Sequence, residues 1–200
     1  MHSLELLLDP ASDEAVRDEW RVLSAAGLPS QGDHAGTSNA PHVTLVARPG
    51  LDPAADPRLL PLSAALPLPA ELGGLLLFGA PPRGLVLVRP VVVTGELLDL
   101  HARVHESLGG AGDVPHTVPG RWTPHVTLAS RLTPEQVARA VDALADADIP
   151  STRPVVLSQL RRWDPSTGAI IALGPVTADE GDGAGRRPRR SGERTRDGLE

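Results

Sequence analysis

Two short segments of the chain have the same five-residue sequence, and each pairs a histidine with a threonine two positions later. Pro41–Leu45 and Pro124–Leu128 both read Pro-His-Val-Thr-Leu, one in each half of the chain. Valine and threonine favour β-strands, in which successive side chains point to opposite faces. Each copy therefore predicts a strand that buries its valine and leucine and presents an imidazole and a hydroxyl on the other face.

Two such strands facing each other would bring His42, Thr44, His125 and Thr127 around one small volume. Histidine has an ordinary pKa of about 6.5, so one imidazole of a pair can be neutral and act as general base while the other is protonated and acts as general acid. Threonine hydroxyls can donate hydrogen bonds to phosphate oxygens. The set suits cleavage of a phosphodiester and requires neither a metal ion nor another cofactor. Structural roles are the alternative for each residue, but the repeat favours function.

Three residues near these segments are further candidates. Arg48 and Arg131 follow the two histidines at the same spacing, and strict alternation along a strand places them on the histidine side, within reach of a phosphate. Surface arginines at strand ends are the alternative. Trp122 precedes the second segment, where it would either stack on a base or pack at the rim.

The remaining histidines give weaker signals. His101 and His105 are one helical turn apart, which suits a metal pair, but no third ligand stands at a recognised spacing, so a solvated helix face is favoured. His116 lies in the loop before the second segment and is a weaker candidate for lining the cleft. His2 and His34 carry no signal.

The paired His-x-Thr motifs resemble the 2H phosphoesterase superfamily. The longer Pro-His-Val-Thr-Leu form is most similar to its bacterial branch, the 2′-5′ RNA ligase-like RNA 2′,3′-cyclic phosphodiesterases. The resemblance covers residues 1–177 in layout and is specific at the two motifs. It implies opening of a 2′,3′-cyclic phosphate to a 2′-phosphate, in which His125 activates water, His42 protonates the departing 3′-oxygen, and Thr44 and Thr127 hold the non-bridging oxygens. The motifs themselves do not distinguish the two histidines.

The composition excludes several kinds of chemistry. All 19 basic residues are arginine, and cysteine and tyrosine are absent. A ligase that carries adenylate on a lysine is therefore excluded, as are thiolate metal sites and cysteine nucleophiles. Any RNA ligase activity would have to be ATP-independent. Hydrolysis is favoured over such joining because water at ~55 M competes with a dilute RNA end. A binding module that holds a nucleotide or RNA end without turnover is the other alternative.

Charge and hydropathy bound the partners and the location. The net charge is −6, and the excess of acid lies before residue 178, so the body does not resemble a protein that binds DNA or another long polyanion. An RNA 3′ end or a small nucleotide in a local cleft remains compatible. Met1–Asp9 has no basic region and too short an apolar run to predict a signal peptide, and no stretch of about 20 apolar residues predicts a membrane span. We expect a cytoplasmic monomer with no membrane partner. Few aromatic residues predict loose base recognition.

The hydrophobic pattern predicts an α+β fold with two pseudo-symmetric lobes, each a mainly antiparallel sheet with helices outside and the motif strands facing a central cleft. The predicted strands are Ser3–Leu8, His42–Ala47 and His125–Ser130, with one hairpin of Leu68–Phe78 and Gly84–Val93 and another of Val155–Trp163 and Ala169–Val176. The predicted helices are one capped by Ser12 and ending at Ala26, a short one over Arg58–Leu66, one over Gly95–Leu108, and one capped by Thr133 and ending near Asp146.

The chain divides into a domain over residues 1–177 and a tail over residues 178–200. The tail consists of glycine, arginine and acidic residues with few apolar ones, which predicts disorder. Acids are interleaved with the arginines of Arg186–Arg196, so a solvated tail is favoured over a segment that contacts RNA phosphates.

Overall fold

The computed structural model describes residues 1–36, 38–110 and 112–174; the predicted tail and the last residues of the predicted domain lie outside them. The strands are β1 His2–Leu8, β2 His42–Arg48, β3 Leu68–Leu72, β4 Leu76–Gly79, β5 Leu85–Pro90, β6 His125–Leu132, β7 Arg153–Asp164 and β8 Ala169–Ala172. The α-helices are α1 Pro10–Ala25, α2 Asp56–Leu59, α3 Gly95–Leu108 and α4 Pro134–Asp146.

The strands form two antiparallel sheets of unequal size. The larger sheet has the order β2-β1-β7-β3, with β8 paired to β7, and the smaller has the order β4-β5-β6. The predicted α+β class is confirmed. The two predicted motif strands are β2 and β6, and each stands at the end of its sheet.

The predicted strand Leu68–Phe78 is two strands in two different sheets. β3 pairs with β7 in the larger sheet, whereas β4 pairs with β5 in the smaller one. The break falls at Gly73 and Gly74, and a Cβ at Gly73 would come within 3.3 Å of the Pro90 ring. The apolar run gives no local sign that its two ends have different partners. The hairpin prediction is therefore correct only for β4 and β5.

The helices largely follow the predicted pattern. α3 has the predicted bounds, and α4 begins with the predicted capping box, in which Thr133 and Gln136 satisfy each other's backbone N–H groups. α1 starts earlier than predicted because Asp9, not Ser12, is its N-cap. The Ser12 hydroxyl instead accepts a hydrogen bond from the Val156 N–H at 3.0 Å and thereby links α1 to β7. The predicted short helix is α2, continued by a 3-10 turn over Leu60–Ala65.

One hydrophobic core joins the two sheets. Leu6 of β1, Leu45 of β2 and Leu128 of β6 belong to the same buried cluster, together with Leu23 of α1 and Leu100 of α3. α1 contacts β6 and α4, although it follows β1 in the chain, whereas α3 contacts β2. α1 and α3 thus each support the motif strand of the other half of the chain. Among the described residues, no helix is both long enough and apolar enough to cross a bilayer.

Candidate active site

The first motif strand contains a β-bulge directly after its threonine. Thr44 pairs with Glu5 of β1, but the next pair joins Val46 to Leu4, so Leu45 is an extra residue on β2. A bulge reverses the alternation of side chains beyond it. His42 and Thr44 lie half-buried on one face, and from Leu45 onwards the parity of the buried positions changes.

The second motif strand contains the same bulge at the same place. Thr127 pairs with Val88 of β5, and Ala129 pairs with Leu87, so Leu128 is the extra residue on β6. The burial pattern of the first six residues is identical in the two strands. The repeated sequence therefore produces a repeated local backbone.

The bulge explains why the prediction for Arg48 is wrong. Strict alternation places Arg48 beside His42, but the bulge turns Arg48 to the opposite face, where it is 9 % exposed. Its guanidinium forms a bidentate ion pair with Asp113, one bond being 3.1 Å from Nη2 to Oδ2. Arg48 anchors the loop before the second motif and does not line the cleft.

Arg131 also loses the parity that strict alternation gives it. A second irregularity in β6 falls between the pairs that Ala129 and Leu132 make with β5, and Arg131 has a left-handed φ of 60°. Arg131 Cα packs closely against Gly84, since a Cβ added at Gly84 would lie only 2.7 Å from it. The side chain is exposed. Because its alternation with His125 is broken, the parity argument for phosphate contact fails.

Both motif histidines have the same tautomer. The Nδ1–H of His42 donates to the Ala40 carbonyl at 2.7 Å, and the Nδ1–H of His125 donates to the Thr123 carbonyl at 2.7 Å. A carbonyl oxygen can only accept, so the proton must sit on Nδ1 in each neutral ring. Each Nε2 is therefore the nitrogen that can gain or lose a proton in the cleft.

Two tryptophans tie the motif strands to the rest of the fold in a reciprocal manner. The indole N–H of Trp122 donates to the Thr44 carbonyl at 2.9 Å, and the indole N–H of Trp20 donates to the Thr127 carbonyl at 3.0 Å. Both carbonyls belong to strands at the edge of a sheet, where the backbone groups on one side have no neighbouring strand to bond. The two strands also contact each other across the gap between the sheets.

Trp122 packs within the protein, as the alternative prediction states. Its ring stacks on His101 with centroids 3.9 Å apart and planes 2° from parallel. With one face covered and its N–H bonded to Thr44, Trp122 positions the first motif strand. The interpretation of Trp122 as a base-stacking residue is not supported by this packing.

The prediction of a solvated face for His101 and His105 is wrong. His101 is 1 % exposed, and its Nε2 lies 2.9 Å from the Thr117 carbonyl and 3.2 Å from the Leu45 carbonyl. His105 Nδ1 lies 3.2 Å from Asp113, and the two Nε2 atoms are 3.1 Å apart. Burial lowers the pKa of His101. Both residues lie next to the apolar stripe of α3. If the buried face of the helix had been predicted to be wider than this stripe, the two histidines would have been predicted as buried.

Metal ligation was the other interpretation of that pair. Within residues 1–36, 38–110 and 112–174, no group of three or more histidine, aspartate or glutamate side chains is arranged to hold a metal ion. The pair instead links the back of the first motif strand to the loop that leads to the second. It forms part of the support of the site.

Glu5 is a site residue that the sequence prediction missed. Its carboxylate Oε1 lies 3.7 Å from His42 Nε2, and the residue is only 4 % exposed. The Ser3 hydroxyl donates to Oε1 at 2.6 Å, and Arg161 Nε donates to Oε2 at 2.7 Å. Burial raises the pKa of Glu5, but the charges of His42 and Arg161 and these hydrogen bonds lower it to a net value below the ordinary one. A lone charge within the apolar run of β1 was the available signal.

His125 has a different environment. It contacts the edge of Phe78, with ring centroids 4.8 Å apart. Burial lowers its pKa, the hydrogen bond to Thr123 raises it, and the charges of His116 and His42 lower it, with a net lowering. His116 therefore lies near enough to act on His125 electrostatically, and that it lines the cleft stays a prediction.

Comparisons with known proteins give a family. No functionally curated protein matches this sequence. Usb1 from Kluyveromyces marxianus is similar in structure, with a TM-score of 0.48, 16% identity and coverage of 86% of this chain and 96% of that chain. Its complex with uridine monophosphate is similar at a TM-score of 0.48 and 15% identity, with coverage of 86% and 96%. A crystal structure of a phosphoesterase is similar at 0.47 and 15% identity, with coverage of 86% and 92%.

The family profile described as the 2′-5′ RNA ligase superfamily matches residues 9–167. The match spans most of the chain and contains both motif strands. The protein therefore belongs to the 2′-5′ RNA ligase superfamily of 2H phosphoesterases, and this membership supports a phosphodiesterase-type activity.

Proposed function

We propose that the protein hydrolyses a 2′,3′-cyclic phosphodiester, at an RNA 3′ end or in a small cyclic nucleotide, to a 2′-phosphate without a metal ion. The observation that carries the proposal is the pair of motif histidines. Each has Nδ1 held by a carbonyl and Nε2 available, but their surroundings differ: the Glu5 carboxylate lies 3.7 Å from His42 Nε2, whereas burial lowers the pKa of His125. Such a difference allows one imidazole to be a base while the other is an acid.

In this proposal His125 is the general base. Its lowered pKa keeps Nε2 unprotonated near neutral pH. Nε2 takes a proton from water as the water oxygen forms a bond to phosphorus. The resemblance to the family implies the same assignment for this histidine, and the burial of His125 supports it independently.

His42 is then the general acid. The buried Glu5 carboxylate lies 3.7 Å from Nε2 and gives His42 a negatively charged neighbour on its side of the cleft. His42 delivers its Nε2 proton to the 3′-oxygen as the bond from that oxygen to phosphorus breaks, leaving the phosphate on the 2′-oxygen. The two histidines end with exchanged protonation states, and exchange with solvent restores them.

Thr44 and Thr127 complete the site by donating their hydroxyl protons to the non-bridging phosphate oxygens. Negative charge builds on these oxygens as water adds, so donors placed there stabilise the transition state more than the substrate. Because each threonine stands two residues after its histidine and before the bulge, donor and proton-transfer group share one face.

The first experiment uses 2′,3′-cyclic AMP and a short RNA ending in a 2′,3′-cyclic phosphate, both in EDTA, with product analysis. We expect a 2′-phosphate from both substrates. His42→Ala and His125→Ala should each reduce the rate by about 10²–10⁴-fold or more. The double variant should lose little more than the worse single variant, because the pair acts as a unit.

The variants must first be shown to be folded, by comparing their thermal unfolding with that of the wild type. Activity of His42→Ala near the wild-type level would end the proposal. Measurable binding of 2′-AMP without turnover would indicate the binding module instead. Joining of a 2′,3′-cyclic end to a 5′-hydroxyl end without ATP would indicate the ligase. Sedimentation would test the expected monomer.

A further inference from the structure

A cavity of about 330 Å³ opens beside His42 and extends beyond the two motif strands. It is bordered by His42 and Glu5, by Arg161 and Trp163 of β7, and by the described part of the loop before β2, residues 31–36, 38 and 39. Neither His125 nor Thr127 borders it. The cavity therefore extends from the His42 side of the cleft over the larger sheet. Its volume falls at the lower end of the range of ~300–1,000 Å³ typical of small-molecule sites.

The floor of the cavity is a continuous strip of one sheet face. Glu5 pairs with Thr44 on β2 and with Arg161 on β7, and Trp163 pairs with Ser3 two positions along. Directly paired residues point to the same face of a sheet. Trp163 is therefore on the sheet face that carries His42 and Thr44. It lies on β7, two strands away from the motif strand β2.

The charges on this floor are already paired. Glu5 and Arg161 are 4 % and 5 % exposed, and they hold each other through a 2.7 Å bond. Arg161 Nη2 also donates to the Ser38 carbonyl at 3.0 Å. A guanidinium engaged in this way is poorly suited to hold a second phosphate. The half-buried indole of Trp163 offers an apolar aromatic surface instead, which suits a flat neutral ring.

The opposite wall is held in place before any ligand binds. The Asn39 side chain donates to the Gln31 carbonyl at 2.9 Å and to the His34 carbonyl at 3.1 Å. The Ser30 hydroxyl donates to the Trp20 carbonyl at 2.8 Å, which fixes the start of the loop on α1. Polar groups of this loop line the cavity and can bond the edge of a ring that stacks on the floor.

We propose that this cavity binds the nucleoside that carries the scissile phosphate, with its base stacked on Trp163. The inference rests on the proposed function, because it uses the assignment of His42 as the acid. The acid must contact the leaving oxygen, so the group that bears this oxygen lies on the His42 side. In a 2′,3′-cyclic phosphate the leaving oxygen and the retained ester belong to one ribose. The base of that ribose is then directed over the larger sheet towards Trp163.

The test compares a substrate with a base and one without. Values of kcat/KM are measured for 2′,3′-cyclic AMP and for glycerol 1,2-cyclic phosphate, with wild type, Trp163→Ala, Trp163→Leu and Trp163→Phe. Loss of one base–aromatic stack should lower kcat/KM for 2′,3′-cyclic AMP by about tenfold to a hundredfold in the alanine and leucine variants. The phenylalanine variant keeps an aromatic face and should lose less than about threefold. Hydrolysis of the base-free substrate should be unchanged.

Leu77→Ala is the matched control, because Leu77 is an exposed apolar side chain on a strand of the smaller sheet. It should leave both substrates unaffected. If Trp163→Ala unfolds, Trp163→Leu decides the question, because it retains apolar bulk without the π-face. An equal loss for both substrates, or no loss for either, would overturn the assignment of this cavity.

Binding of 2′-AMP, measured by calorimetry, separates this inference from the proposed function. If wild type hydrolyses neither substrate but binds 2′-AMP, and Trp163→Leu weakens that binding by about tenfold or more, the nucleoside site stands and the proposed hydrolysis fails. If wild type hydrolyses both substrates and Trp163→Leu binds 2′-AMP as tightly as wild type, the hydrolysis stands and the nucleoside site fails.

Discussion

The two motif strands have the same sequence and the same backbone, but their neighbouring strands differ. The residue paired with Thr44 is Glu5, a buried carboxylate, whereas the residue paired with Thr127 is Val88, which is fully buried and aliphatic. Three features that fix the geometry occur in both strands: the bulge, the hydrogen bond from histidine Nδ1 to a carbonyl, and the hydrogen bond from a tryptophan to the threonine carbonyl. The charge of the residue paired with the threonine differs between the two strands.

This difference indicates how a symmetric motif can perform asymmetric chemistry. Hydrolysis of a diester needs one group that accepts a proton and one that donates a proton. Identical environments would give the two imidazoles the same proton affinity. A carboxylate of β1 lies beside one imidazole, whereas burial lowers the pKa of the other. In the proposed function, the assignment of acid and base therefore rests on the neighbours of the motif strands, not on the motifs.

The largest expected effect is a difference between the two histidine variants on a substrate with a good leaving group. A good leaving group departs without protonation, so an acid is not needed. On 3′-deoxyadenosine 2′-(4-nitrophenyl phosphate), His42→Ala should lose less than about tenfold, whereas His125→Ala should keep its full loss of about 10²–10⁴-fold. Release of nitrophenolate is followed by absorbance. Recovery of His125→Ala instead of His42→Ala would reverse the two roles.

The next effect concerns the carboxylate on the His42 side. Glu5→Gln keeps the shape and an acceptor oxygen but removes the charge. The kcat/KM for 2′,3′-cyclic AMP should fall by about tenfold, because His42 loses the negative charge beside its Nε2. On the nitrophenyl substrate, whose leaving group needs no acid, the loss should be less than about threefold. An equal fall with both substrates would show that Glu5 is structural only.

The same variant gives a stability test with a defined sign. The pKa of Glu5 is lower in the folded protein than in the unfolded chain. The Glu5 charge therefore stabilises the fold when the pH is above the pKa of the unfolded chain, and this stabilisation is lost as the pH falls through the folded-state pKa. The free energy of unfolding of wild type and Glu5→Gln should therefore converge as the pH falls below about 4. Urea unfolding at several pH values measures the difference. A gap that stays constant with pH would contradict the linkage.

A smaller effect is expected on the His125 side. The charge of His116 lowers the pKa of His125, so His116→Asn should raise that pKa and move the acid limb of kcat/KM to higher pH. The shift should be a fraction of a pH unit, because His116 is exposed and the interaction is screened. His2→Asn is the control, since His2 neither contributes to the pKa of His125 nor borders the cavity beside His42. No movement of the limb, or movement to lower pH, would contradict the expectation.

The last prediction concerns stability and tests the repeated geometry of the two motif strands. Trp122→Phe and Trp20→Phe each remove one indole N–H from a threonine carbonyl. Each should lower the free energy of unfolding by about 1–3 kcal/mol, because a backbone acceptor loses its partner. Urea unfolding provides the measurement. If one variant is as stable as wild type, the two tryptophan hydrogen bonds are not equivalent. The pseudo-symmetry would then hold for the motif strands but not for the tryptophans that bond to them.

Much of the site could be predicted from the sequence because its determinants are local. The repeat predicted both motif strands, and alternation placed histidine and threonine together on one face. The apolar stripe predicted α3, and the capping box predicted the start of α4. Alternation failed at Arg48 and Arg131, because a bulge is an irregularity of pairing that the sequence of one strand does not specify.

What the sequence by itself determined is the presence of two equivalent histidine–threonine strands, since their spacing and strand preference lie within five residues. Only the tertiary structure decided that Glu5 stands opposite Thr44, that Trp20 and Trp122 support the strands of the opposite halves, and that Trp163 lines a cavity beside His42. These relations join residues far apart in the chain. They follow from which strands pair and in which register, and those are set by the packing of the whole core.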